Sequence, residues 1–183
     1  MGFIALLVLG ILFSQEDSNV KSGVQANNVD APQARSIAEA TDMLFASEGS
    51  KDTLKVKFYR KAVWDEAGWI HTMASGVLAL GKFLKENLPD SFSVVKILAY
   101  SPSTDKYGND EAVPAMLLVY NGRDFDKINY DNFNEWKMLN LVERLKFEPI
   151  GLRAAKMYCQ DEDHARFAQS FCMKVLASAL SDE

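Results

Sequence analysis

Two apolar runs, Phe92–Tyr100 and Val113–Tyr120, flank a polar segment, Ser101–Ala112. No other stretch constrains the fold of this chain as tightly. Each run has the length of a strand. The polar segment between them reads as the loop that connects two strands. The pattern predicts an antiparallel hairpin in the middle of a domain.

The residues before the hairpin orient it. From Leu54 the hydrophobic period is two: Leu54, Val56 and Phe58 alternate with Lys55, Lys57 and Tyr59, a strand with one wet face that can run on to Trp64. Asp65 is placed to cap a helix, with Glu66 in its first turn. Ile70, Met73, Ala74, Val77, Gly81, Leu84 and Leu88 form its apolar stripe, and Pro89-Asp90 ends it. Gly68, Gly76 and Gly81 cost helix propensity and suggest close packing on a sheet. Strand, helix, strand, strand is a βαββ core. Its first two strands run parallel and its third returns antiparallel. The fold class expected is therefore α+β: a three-stranded mixed sheet with a packed helix, preceded by a helix and followed by a helical C-terminal region.

That topology gathers Trp64, Asp65, Glu66, His71, Ser101, Ser103, Thr104, Asp105 and Tyr107 at one edge. Ligands in open α/β sheets favour the carboxyl ends of strands. A small hydrolase would use Asp65, His71, Ser101 and Asp105 there, with His71 and either aspartate as the acid–base pair. The bland reading is that Asp65 and Glu66 serve the helix end and the loop is only a loop. A second surface is the wet face of the sheet. Lys55, Lys57, Tyr59 and Lys61 share it on the first strand, and Lys96 and Tyr100 on the second, with Tyr120 a further member from the third. Such a face suits an anionic polymer, a lipid headgroup or an acidic partner, unless it is simply solvated or is covered by the C-terminal helices.

The N-terminus reads differently. Gly2–Phe13 is unbroken apolar sequence, about 18 Å as a helix at roughly 1.5 Å per residue, short of the about 30 Å of a bilayer core. No Lys or Arg precedes it, and no Ala-x-Ala site follows it. Residues 1–14 are expected to be a membrane anchor or an uncleaved signal-like segment, with docking on the chain's own core as the alternative. Gln15–Ala31 is polar and aperiodic and reads as a flexible tether. Residues 32–183 are expected to form one globular domain. Its first helix starts at Asp30-Ala31-Pro32 and stops near Gly49, with Ala34, Ile37, Ala38, Thr41, Leu44 and Phe45 at helical spacing.

The C-terminal third is aromatic and helical. Asn121-Gly122 and Asp124-Phe125-Asp126 form a turn-rich exit, and Tyr130, Phe133, Trp136 and Leu139 follow roughly helical spacing. Leu141–Phe147 fits either more helix or a short strand. Pro149 opens a helix over Ile150–Cys159, and Asp161 caps a last one carrying Ala165, Ala168, Phe171, Cys172, Val175 and Leu176. Cys159 and Cys172 are the only cysteines. On one continuous helix they would stand about 20 Å apart, so a disulfide requires Gln160–Arg166 to loop back. In an oxidising compartment such a bond can form, and in the cytosol both thiols stay free.

No motif carries chemistry. There is no P-loop and no Gly-x-Gly-x-x-Gly. No Cys/His pair has zinc spacing and no EF-hand pattern is present, so no metal or cofactor is implied. Asp161-Glu162-Asp163-His164 is better read as acids at a helix start than as ligands. Ser93-Val94-Val95-Lys96 matches Ser-x-x-Lys but falls in a strand, where that motif does not work. The net charge of −5 argues against nucleic acid as a partner. The leading expectation is a non-enzymatic, membrane-tethered binding or assembly module of the cell envelope, with a protein partner and an extracytoplasmic soluble domain. Lys21, on the C-terminal side of the apolar run, argues for the opposite orientation. The rival is the small hydrolase.

Overall fold

The computed structural model of the chain describes residues 52–59 and 65–181. The apolar run, the tether, the first expected helix, Lys61 and Trp64 lie outside the described residues. The elements run β1 (Thr53–Tyr59), α1 (Glu66–Asn87), β2 (Val94–Thr104), β3 (Asp110–Asn121), α2 (Gly122–Lys127), a 3-10 turn (Tyr130–Asn132), α3 (Glu135–Asn140), β4 (Arg144–Phe147), α4 (Pro149–Gln160), α5 (Glu162–Phe167) and α6 (Gln169–Ser181).

The class is α+β, and the sheet has four strands rather than three, in the order β1-β2-β3-β4. β1 pairs with β2 in parallel, and β2–β3 and β3–β4 are antiparallel. The added strand is β4. Its alternation, Arg144-Leu145-Lys146-Phe147, is a period-two signal only four residues long, too short to outweigh a helical reading. The register stacks Val56, Ile97, Leu118 and Leu145 across the sheet, and this inner face is where the core lies. Leu54, Val56, Phe58, Val95, Ile97 and Ala99 are at most 2% exposed.

Asp65 caps α1, its carboxylate accepting from the Gly68 N–H at 2.6 Å. Trp69, Ile70, Met73, Ala74, Val77, Leu80 and Leu84 recur every three or four residues and bury the helix in the core shared with the inner face. Each such apolar side chain contributes roughly 1.5–3 kcal/mol when fully buried. Trp69 Nε1 donates to the Tyr100 carbonyl at 3.2 Å, which fixes the start of α1 beside Tyr100 of β2, the residue opposite the end of β1. Gly81 packs closely, but against Tyr130 and Phe125 rather than the sheet: a Cβ there would stand 2.6 Å from the Tyr130 hydroxyl.

The hairpin is longer than its apolar runs. Ser101–Thr104 and Asp110–Ala112 are strand, so the connection shrinks to residues 105–109. β1 ends opposite Tyr100, and β4 reaches no further than Met116. Beyond those points β2 and β3 continue as a two-stranded ribbon. Gly108, at φ +86°, supplies the left-handed residue its turn needs. Tyr120 faces inward and is buried, so it does not join the basic face.

The turn-rich exit at Asn121-Gly122 is α2, capped by Asn121. The helical spacing over 130–139 resolves into the 3-10 turn and α3. The last helix is two: Asp161 caps α5, the chain breaks at Ala168, and α6 returns beside α4. Cys159 and Cys172 are joined by a disulfide with Cα atoms 5.5 Å apart.

A bulge fixes α4. Ala99 pairs with Met116 and Tyr100 with Pro114, which leaves Ala115 as the extra residue. Its carbonyl accepts from the Glu148 N–H at 2.9 Å. Gly151, in the first turn of α4, lies so close that a Cβ would stand 1.9 Å from that same oxygen. Gly151→Ala is therefore expected to destabilise the fold by about 2–3 kcal/mol through overpacking against backbone, despite the better helix propensity of alanine. Denaturant unfolding of the two proteins measures it, and an unchanged midpoint would show that α4 does not seat on the bulge.

Candidate functional site

The four residues of the hydrolase reading are each engaged locally. Asp65 caps α1. His71 Nε2 stands 3.7 Å from Glu135 Oε1 on α3, with its ring 6.3 Å from that of Trp136. The Ser101 hydroxyl donates to the Pro102 carbonyl at 3.3 Å. Asp105 closes the hairpin turn by accepting from the Tyr107 and Asn109 backbone N–H groups and from Asn109 Nδ2. The bonds from Asn109 hold its carboxyl below the ordinary value of 3.8. No hydrogen bond or ion pair joins any two of the four. Their neighbour Glu66 pairs with Arg153 of α4. Ser103 and Thr104 lie on the ribbon, and Tyr107, at its tip, is 77% exposed.

The register does bring the basic face together. Lys55 pairs with Lys96, and Tyr59 with Tyr100. Lys57 stands opposite Leu98, and β4 adds two cations the sequence reading left out: Arg144 opposite Val119 and Lys146 opposite Leu117. No carboxylate occupies an outward position of these strands between Thr53 and Tyr59, Val94 and Tyr100, Leu117 and Asn121, or Arg144 and Lys146.

The fold also assembles a cluster for which the sequence carries no local signal. The chain's two histidines, on α1 and α5, both approach Trp136 on α3, with ring centroids 6.3 and 6.5 Å away. Phe167 stacks on Trp136 at 5.0 Å, and Tyr158 stacks on His164 at 4.3 Å. His164 Nδ1 lies 3.7 Å from Asp161 Oδ1, too far for a hydrogen bond. Four buried atoms in this cluster have no hydrogen-bond partner among the described residues: His71 Nδ1, Trp136 Nε1, the Tyr158 hydroxyl and His164 Nδ1. Burial, then the charges of Glu135 and Asp161, push the Tyr158 phenol above its ordinary range. The His164 backbone N–H holds the Asp161 carboxyl below 3.8. Among the described residues no serine or cysteine is bonded to either imidazole side chain. Among the described residues no group of three or more His, Cys, Asp or Glu is placed to hold a metal ion. The cluster thus joins four helices, α1, α3, α4 and α5, by ring packing.

A cleft of about 410 Å³ opens between α4, α5 and α6. α4 supplies Lys156, Cys159 and Gln160, α5 supplies Ala165, and α6 supplies Gln169, Cys172, Met173, Val175 and Leu176. The disulfide is part of its wall, and Lys156 is its one charged lining residue. Along α6, Met173, Leu176 and Leu180 follow at i, i+3 and i+7, and they are 62%, 57% and 75% exposed. A helix that buries one stripe against α3 and α4 thus shows a second apolar stripe to the outside. Sequence periodicity alone could not separate the two, because Val175 and Leu176 are adjacent and both apolar.

Comparison with family models, with curated proteins and with solved structures yields no match to this chain.

Tyr158 gives a direct check on the cluster. A buried hydroxyl without a partner carries a desolvation cost and no compensating bond. Tyr158→Phe is expected to leave stability unchanged or raise it by up to about 1–2 kcal/mol. A loss of that size in thermal or denaturant unfolding would mean that the hydroxyl is bonded.

Proposed function

We propose that this chain is a non-enzymatic binding module, tethered to a membrane through its N-terminal apolar run, that seats an apolar segment of a protein partner in the α4–α5–α6 cleft. The observation that carries the reading is the open apolar cleft continuous with the exposed Met173–Leu176–Leu180 stripe. Its volume falls within the range of ligand-binding clefts. An exposed apolar patch rimmed by polar groups is a usual mark of an interaction site. Gln160 and Gln169 offer amides to a partner backbone, and Lys156 favours a carboxylate beside the apolar anchor. The Cys159–Cys172 bridge supports an oxidising compartment, the extracytoplasmic side of a cell envelope. No described helix is long and apolar enough to cross a membrane. The tether therefore rests on Gly2–Phe13, outside the described residues. The separate engagements of Asp65, His71, Ser101 and Asp105 lend the hydrolase alternative no support.

Met173→Asp tests the cleft. The side chain is mostly exposed, so the unfolding midpoint should not move. Association with the partner should weaken by at least about tenfold, the effect of losing one apolar anchor. A photo-crosslinking residue at Leu176 of the full chain, in native membranes, should give a discrete protein adduct that Met173→Asp abolishes. Crosslinks to lipid alone, or an adduct indifferent to Met173→Asp, would contradict the proposal.

A further inference from the structure

The cleft holds one reactive group that apolar contact does not use. Its wall contains both halves of the Cys159–Cys172 bridge. A bridge matters most to a fold where a small domain lacks a sufficient core. Here α6 is held by other means. Its Phe171 and Val175 are fully buried, and Phe171 packs edge-on to Tyr158 of α4 with ring centroids 6.1 Å apart. The Asn140 side chain, at the end of α3, accepts from the Ser170 N–H at 2.9 Å and donates to the Phe167 carbonyl at 2.7 Å. Lys174 Nζ donates to the Val142 carbonyl. These contacts seat α6 on α3 and α4 without help from the bridge.

The two sulfurs differ in ways that give thiol exchange a direction. Cys159 is half-buried and Cys172 is 6% exposed, so a thiolate entering the cleft reaches Cys159 first. Cys172 is the fourth residue of α6, and its N–H closes the first turn on the Ala168 carbonyl at 2.9 Å. The positive end of that helix favours a thiolate there and offsets the cost of burying it. Cys159 is the second-last residue of α4, at the negative end, which disfavours one. Access and helix dipoles agree: attack falls on Cys159, and Cys172 leaves. Lys156, three residues before Cys159 on α4, lines the same cleft and attracts an anionic sulfur.

We propose that the Cys159–Cys172 bridge is a thiol-exchange site, which captures a cysteine-bearing apolar segment of the partner as a mixed disulfide. The partner thiolate attacks Cys159 Sγ. A bond forms between those two sulfurs as the bond from Cys159 to Cys172 breaks, and the electron pair leaves on Cys172 Sγ. The proton lost when the partner thiol ionises is regained, through water, by Cys172. One disulfide replaces another, so no oxidant or reductant is consumed. Attack of Cys172 on the mixed disulfide releases the partner and restores the bridge. The exchange is reversible covalent capture, in keeping with a binding module. For the partner's identity this inference rests on the cleft reading, but the reactivity of the bridge is measured without a partner.

Reduced glutathione is the probe. The folded full-length chain, without denaturant, is held with glutathione, quenched with iodoacetamide and mapped by mass spectrometry. Glutathione should appear on Cys159 and the alkyl group on Cys172, in about tenfold excess over the reverse arrangement. After complete reduction with dithiothreitol the chain should still unfold cooperatively in urea. A bridge that resists glutathione in the folded chain and yields only in urea overturns the proposal. So does glutathione found equally on both cysteines or mainly on Cys172, and so does loss of cooperative unfolding on reduction. These failures leave the Leu176 crosslink untouched, and that crosslink decides the cleft reading by itself.

Discussion

The burial of α1 against a sheet whose first two strands are parallel governs the rest of this molecule. A parallel pair cannot be joined by a tight turn, so the chain must cross over, and α1 is the crossover. Once Ile70, Met73, Val77 and Leu80 lie in one core with Val56, Ile97 and Leu118, the sheet has an inside and an outside. Every strand then obeys that division, because a shift of one residue would exchange the two faces. β3 returns from β2 in the same register, β4 continues it, and the bulge at Ala115 opens the carbonyl on which α4 begins.

The later helices follow from that seat. α4 starts at the bulge and runs beside α1, and the disulfide ties its last turn to α6. α3, α5 and α6 complete the helical side by packing rings: Trp136 meets both imidazoles, and Tyr158 packs between His164 and Phe171. Apolar packing is non-directional and tolerates this irregular assembly. The cost appears in the polar atoms left without bonds, such as the Tyr158 hydroxyl. It appears again in the apolar side chains of α6 that no described element covers.

Much of the first half was legible in the sequence, because period and punctuation agree there. Leu54-Val56-Phe58 alternates, Asp65 caps, the α1 stripe repeats and Pro89 stops it. The Ser101–Thr104 and Asp110–Ala112 stretches misread as loop because a two-stranded ribbon beyond the sheet has no buried face, and hence no apolar alternation. Tyr120 reads as polar by its hydroxyl, but its register sets it opposite Val95 on the inner face. β4 is too short for periodicity, and the break at Ala168 has no glycine or proline to mark it. The histidine–tryptophan cluster was not readable, since residues 71, 136 and 164 meet only through tertiary packing. The cleft depends on which side of α6 stays uncovered, a property of neighbours and not of the helix sequence.

Taken together, the two unused surfaces differ in kind. The outer sheet face carries cations among apolar side chains. The α6 stripe and its cleft are apolar, with Lys156 the one charged lining residue. Hydroxyl-radical footprinting of the purified full-length protein, read by mass spectrometry, tests whether this second surface is open to a partner. Met173 and Leu176 should label readily in the isolated protein, as their exposures of 62% and 57% require. Protection of both in the isolated protein would contradict the account.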